Sequence, residues 1–372
     1  VRRIACAAVA LALAGCTFLG LAPEKPKPKV LDPITPQPVA RAAWNQRIGA
    51  VNLPLTVAIA DGAFIVASSD GQVAAFAAAD GRELWRTQIG NEIGAGVGSD
   101  GKTTAVVTRN SELVALSGGK VKWRKPVGTR VVTAPLVAGG RIFVLAIDRS
   151  VHAFDADDGM KLWSAQRPGD PLTLAQTGVL SAFRNTLVAG QGPRLAGLDP
   201  ANGNVRWEVP IGSPRGANEV ERLADLVGPV LRIGDVLCAR AFQAAVGCVN
   251  ADRGSLVWTK NVGGTDAIAG DADFVFGADA SDRLTAWRVA DGTVAWTSEA
   301  VLNHGLSAPA VLGGSVAFGA ADGMIHFFSR DKGEAQLRLQ TDGNAVVAPL
   351  AVANGTLLAV TQSGGLHAFR AP

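Results

Sequence analysis

The chain has 372 residues and a formal net charge of +3; without Arg2 and Arg3, 33 basic residues face 32 acidic ones. That balance, with no interleaving of basic and aromatic residues, excludes an electrostatic case for nucleic acid. A chain of this size ordinarily divides into two domains unless repeats close into a single body, and 44 glycines with 48% hydrophobic residues fit the second case.

Residues 1–16 read as a targeting segment. Arg2 and Arg3 precede the apolar run Ile4 to Ala12, and Leu13-Ala14-Gly15-Cys16 follows. The run is too short for a permanent bilayer span. Leu-Ala-Gly-Cys resembles the lipobox of bacterial lipoproteins, which implies cleavage before Cys16 and acylation of that residue. Thr17 in the next position resembles the pattern sorted to the outer membrane. Residues 17–40 are expected to form a tether. Pro23 to Lys29 alternates proline with charge, Pro33, Pro36 and Pro38 follow, and such a stretch behaves as a semi-extended spacer.

From residue 41 onward one phrase recurs: an apolar strand, an Asp- or Asn-rich turn, a glycine, and a tryptophan four residues later. The pairs are Gly81 with Trp85, Gly119 with Trp123, Gly159 with Trp163, Gly203 with Trp207, Gly254 with Trp258 and Gly292 with Trp296. A seventh turn, Asp331-Lys332-Gly333, is followed by Leu337 where tryptophan would stand. The period is about forty residues with several short strands per unit, which predicts a β-propeller of four-stranded antiparallel blades. The tryptophans are expected to wedge between adjacent blades.

Counting the units predicts how the ring closes. Seven intervals separate Trp44 from Leu337, and the remaining C-terminal residues carry three strands without a Trp-bearing fourth. The segment Ala43 to Ile48 is such a fourth strand without a blade of its own. Joining the two completes an eighth blade from both ends of the chain, so residues 41–372 form one closed all-β body with no free sheet edge between blades.

Cys238 and Cys248 lie on the two arms of one hairpin, and Cys248 fills the slot of Ala75, Ala115, Ala153 and Ala368. An extracytoplasmic location permits a disulfide stapling that blade; two buried thiols are the alternative. His152, His326 and His367 recur in one strand slot, which argues for blade architecture and against a metal centre. No HExxH, CxxC, GxSxG or P-loop stands in a fitting context, so the sequence offers no catalytic residue, metal ligand or cofactor site.

One insertion breaks the period. Trp207 and Trp258 are fifty-one residues apart, and the excess falls in Gly212 to Val227. This segment is charged and led by Gly and Pro. Its Glu219, Arg222 and Asp225 suit a short helical turn with internal ion pairs, and a loop on a rigid scaffold is where binding usually resides.

The Trp-bearing repeat resembles that of quinoprotein dehydrogenases. The lipobox, the eight repeats and the pattern Arg-Gly-x-x-Glu-x-x-Arg-Leu-x-Asp at 215–225 together resemble the BamB family of Gram-negative outer-membrane assembly lipoproteins. The resemblance implies a non-enzymatic partner of the β-barrel assembly machine. Such a partner sits lipid-anchored on the periplasmic side of the outer membrane and binds the POTRA domains of BamA, with nascent outer-membrane proteins as a second candidate contact. It also implies the binding residues: Leu172 and Leu174 in one loop, and Arg222, Leu223 and Asp225 in the insertion. Two positions depart from the family pattern, with Ala175 in place of Arg and Val227 in place of an acid. The competing readings are a dehydrogenase dependent on pyrroloquinoline quinone, whose axial cofactor residues cannot be assembled from this sequence, and a scaffold of another envelope complex.

Overall fold

The computed structural model describes residues 26–167, 172–214 and 216–372. Their strands form eight four-stranded antiparallel sheets. Blade one runs from Ala58 to Gln88, two from Ile93 to Pro126, three from Leu136 to Ala165 and four from Leu180 to Pro210. Blade five runs from Leu226 to Lys260, six from Ala269 to Ser298 and seven from Ala310 to Gln340. The eighth holds Ala351–Ala353, Thr356–Val360 and Gly365–Arg370, and its outer strand is Arg41–Arg47 from the other end of the chain. The eight-bladed ring and its shared closing blade follow the spacing of the repeats.

The repeated phrase has a two-sided packing logic. In each blade the residue paired with the outer-strand tryptophan is small: Ala75, Ala115, Ala153, Gly197, Cys248, Ala286 and Ala368. The indole is thereby free to lean toward the next blade and cover its turn glycine. A Cβ on Gly81 would stand 2.5 Å from the Trp44 ring, and one on Gly292 2.6 Å from that of Trp258. The indole nitrogen then donates to a carbonyl of the same turn, as from Trp44 to Ala78 (3.1 Å), Trp123 to Ala156 (3.1 Å) and Trp258 to Val289 (2.8 Å).

The exception explains itself. Leu337 pairs with Phe327, so small and large have changed places across the strands. Its neighbour, blade eight, has no chain-continuous turn between its third and fourth strands, because the chain ends meet there. No turn glycine awaits an indole.

Every outer strand carries a register shift beside the tryptophan or its equivalent. Bulges on all eight edges raise the local twist and blunt edge-to-edge pairing.

The proline-rich stretch differs from the expected spacer over its described part. The Lys29 amide donates to Leu302 O at 2.9 Å, the Lys29 amine to Glu299 O at 3.0 Å, and a His304 ring nitrogen meets Lys29 O at 2.9 Å. Arg338 donates to Asp32 O at 2.9 Å, and the Gln37 amide to Gln336 O at 2.8 Å. Leu31 packs on the core of blades six and seven, and Val39 on that of seven and eight. Residues 27–39 thus strap the outside of blade seven before entering the closing strand.

The recurring histidines are blade components. His152 is bracketed by the hydroxyls of Ser150 and Ser164, each 2.9 Å away, and the His367 ring meets Asn45 Oδ1 at 3.1 Å. His326 is buried, with neither ring nitrogen hydrogen-bonded, and lies edge-on to His304 at 5.7 Å. Burial, then the charge of His304, hold its pKa down to about 4, with Asp322 acting the other way. The unfolded chain takes up this proton near pH 6.5, so the contribution to stability is complete above that pH and drains as pH falls toward 4. Lowering pH from 7 to 5 is expected to remove about 2 kcal/mol of unfolding free energy that a His326→Leu variant retains. Denaturant titrations of both proteins at the two pH values check this; equal losses would refute it.

Candidate functional site

In an antiparallel four-stranded blade, the connection to the next blade opens on the same face as the turn between the second and third strands. Two such connections meet on this face through their described residues: 166–167 and 172–179 between blades three and four, and 211–214 and 216–225 between blades four and five. Cys16 and the lipobox lie outside the described residues, as do Pro171 and Arg215.

The insertion is built around one capped turn. Asn218 Oδ1 accepts the Glu221 amide at 2.8 Å, while the Glu221 carboxylate reaches back to the Ala217 amide (2.7 Å) and the Asn218 side chain (2.8 Å). This reciprocal capping box starts a single helical turn, with the Arg222 amide donating to Asn218 O at 3.2 Å. The expected helical turn is present, but Glu221 holds it. The ion pairs expected of Glu219 do not occur among the described residues. Val220, at the tip, is 68% exposed.

Asp225 is an internal clamp. One carboxylate oxygen is 3.1 Å from Arg149 Nη2, and the other accepts the Leu174 amide at 2.9 Å. Its carbonyl takes the Phe242 amide at 3.0 Å. The two ionic side chains are 15% and 16% exposed, which makes this contact stronger than a surface ion pair.

The two leucines diverge. Leu172 is 36% exposed. Leu174 turns inward and packs on Val227, Phe242, Ala267 and Ala308 over the axis. Val227 is therefore an apolar strut in that cluster, which is why an acid is not missed there. Ala175 is exposed. Between the connections lies a cleft of about 520 Å³ bordered by Leu172, Glu219, Arg222, Leu223 and Asp225. On its wall Glu208 is held by Arg167 at 2.5 Å and Arg194 at 3.4 Å. A smaller hollow of about 50 Å³ opens beside it between Val132, Leu145, Leu174 and Leu226.

Beneath the insertion, Arg240 is fully buried and donates to Gly263 O (3.2 Å) and Ala278 O (2.8 Å), tying blade five to blade six. Burial lowers its pKa to about 10, against the opposing pull of Asp266 and Asp279, so it keeps its charge at neutral pH. Burial raises the Asp266 carboxyl, and the Thr265 hydroxyl donates to it at 2.6 Å. The aspartates of the turn at 279–282 accept backbone amides, Asp282 those of Gly305 and Leu306. Among the described residues no group of three His, Cys, Asp or Glu is placed to hold a metal ion, and no helix is long and apolar enough to cross a membrane. Cys238 and Cys248 face each other across blade five with Cα atoms 4.0 Å apart and their sulfurs bonded, both fully buried.

Residues 69–298 match the family model described as outer membrane protein assembly factor BamB. The BamB of Burkholderia pseudomallei is 34% identical over 99% of this chain and 97% of its own length. That of Bordetella pertussis is 33% identical over 97% and 95%. The chain belongs to the BamB family. The crystal structure of BamB from Moraxella catarrhalis shares the fold, with a TM-score of 0.81 at 22% identity over 89% of this chain and 100% of that one. A quinohemoprotein alcohol dehydrogenase from Comamonas testosteroni shares the propeller more distantly, at TM-score 0.66 and 15% identity over 90% of this chain and 76% of that one.

Within this BamB-family propeller, the five residues singled out by the sequence gather on one face. Leu172, Arg222, the half-buried Leu223 and Asp225 all line the cleft, and Leu174 lines the smaller hollow beside it, its amide held by Asp225. Sequence reasoning missed Arg149 and Val220. Val220 carried a signal, an apolar residue among charges at the tip of an insertion.

Proposed function

We propose that this protein is a non-enzymatic scaffold of outer-membrane β-barrel assembly, and that its paired loops hold the periplasmic POTRA domains of BamA. Acylation at Cys16 anchors it to the periplasmic face of the outer membrane, and it needs no cofactor. Family membership supports the assembly role. The observation that supports the site is the exposed Leu172 beside a charged cleft whose walls are clamped by the Arg149–Asp225 pair. An apolar anchor with a polar, pre-organised rim is the anatomy of an interface hot spot.

The two leucines then separate binding from folding. Leu172→Ala is expected to weaken capture of the purified POTRA domains about tenfold or more without moving the unfolding midpoint, because its side chain makes little of the core. Leu174→Ala is expected to lower both, because that side chain also packs over the axis. Titration calorimetry with the POTRA domains, paired with denaturant unfolding, reads the two effects. Undiminished binding by Leu172→Ala would sink this site.

A further inference from the structure

Arg149 occupies the turn between the second and third strands of blade three with φ 65°. The matching slot holds Gly71, Gly323 and Gly364 in blades one, seven and eight, at φ 95°, 78° and 88°, and the short side chains Ser111 and Asp282 in blades two and six, at φ 60° and 63°. All six close the same turn, each amide donating to the carbonyl three residues earlier at 2.9–3.2 Å. Glycine enters this left-handed region freely, whereas an arginine there is disfavoured by its Cβ. Nothing in the turn itself asks for the larger residue.

What the side chain does lies outside its own blade. Its Nη2 stands 3.1 Å from Asp225 Oδ1 in the insertion and 3.5 Å from Leu172 O in the neighbouring loop. Gln191 of blade four donates to the Arg149 carbonyl at 3.3 Å. Asp225 in turn fixes the Leu174 amide. One cation thus joins a blade-three turn to both connections, and at 15% exposure it offers a partner little surface of its own.

We propose that Arg149 is a positioning residue of the docking face: acting through Asp225, it sets the spacing between Leu172 and the Arg222–Leu223 wall. The proposal rests on the docking function above. A fold-stabilising residue and a positioning residue respond differently to Arg149→Gly. Glycine suits the backbone, so relief of the turn offsets the lost ion pair, and the unfolding midpoint is expected to stay within error of the parent. Affinity for the POTRA domains is expected to fall about tenfold, and amide exchange at Leu174 to accelerate about tenfold while the strands of blade three keep their protection. Arg149→Lys keeps the charge on a shorter side chain without the planar guanidinium whose Nη2 meets both Asp225 Oδ1 and Leu172 O, and is expected to fall between the two.

The experiment uses the full propeller, measuring exchange, unfolding and POTRA binding on parent and both variants. Unchanged binding and unchanged Leu174 exchange in Arg149→Gly would overturn the proposal. So would a fall in midpoint matching the loss of binding. Should the parent itself fail to bind the POTRA domains, the docking function falls, and Leu174 exchange decides the role of Arg149 by itself.

Discussion

Trp258→Ala is expected to remove about 3–5 kcal/mol of unfolding free energy, measured by denaturant titration. The indole is 6% exposed and lies on Gly292 of blade six, with its nitrogen donating to Val289 O at 2.8 Å. Truncation empties the space between two blades and orphans a buried carbonyl, so the cavity cost and the lost hydrogen bond act together. Gly292→Ala should be severe for the converse reason. Its Cβ would enter the ring at 2.6 Å, and its φ of 70° disfavours any side chain. Leu337→Ala should cost less, because that side chain covers no turn glycine. A loss below about 1 kcal/mol for Trp258→Ala would mean that the wedge does not carry the contact between blades.

The ring was legible because each Gly–x3–Trp phrase encodes two contacts of fixed direction: the glycine receives one indole and the tryptophan supplies the next. A break in such a pattern is informative too. Leu337 stands where the chain-continuous turn of the next blade is missing, and Phe327 opposite it takes up the volume. Closure could be counted for the same reason.

What the sequence concealed depended on partners far away or on backbone atoms. Residues 27–39 have a spacer's composition, yet they are docked largely through main-chain carbonyls and amides, with only Leu31 and Val39 as apolar pins. Hydrophobic periodicity cannot report such an attachment. Arg149 meets Asp225 across 76 residues of sequence, and its only local trace is a long side chain in a slot that three other blades fill with glycine and two with Ser111 or Asp282. Val227 departs from the family pattern as a lost charge on paper; in space it is a member of the axial apolar cluster. Of the candidate site, the insertion was legible from the broken period and the loop of Leu172 and Leu174 only through the family resemblance, while the clamp that orders them was not legible.

Deleting residues 1–47 is expected to abolish cooperative folding, whereas deleting 1–39 should lower the unfolding midpoint and leave the ring closed. The closing strand pairs six of its residues with Gly365–Arg370 and supplies Trp44, which covers Gly81 of blade one. Its removal exposes the edge of Gly365–Arg370 and uncouples blade eight from blade one in one step. An opened propeller has two terminal blades, each with an apolar face toward water, and the repeats cannot bury those faces alone. Loss of the strap alone removes the contacts to Leu302, Arg338 and Gln336 but touches no blade-to-blade wedge. The strap also sets where load enters the molecule. A pull from a membrane anchor on residues ahead of Lys29 reaches the connection between blades six and seven first, and so spares the closing strand from being peeled off its neighbour. Size-exclusion chromatography and thermal unfolding of the two truncations measure the difference. A monomeric 48–372 fragment melting sharply at the parent's temperature would show that neighbouring blades, and not closure, hold the ring.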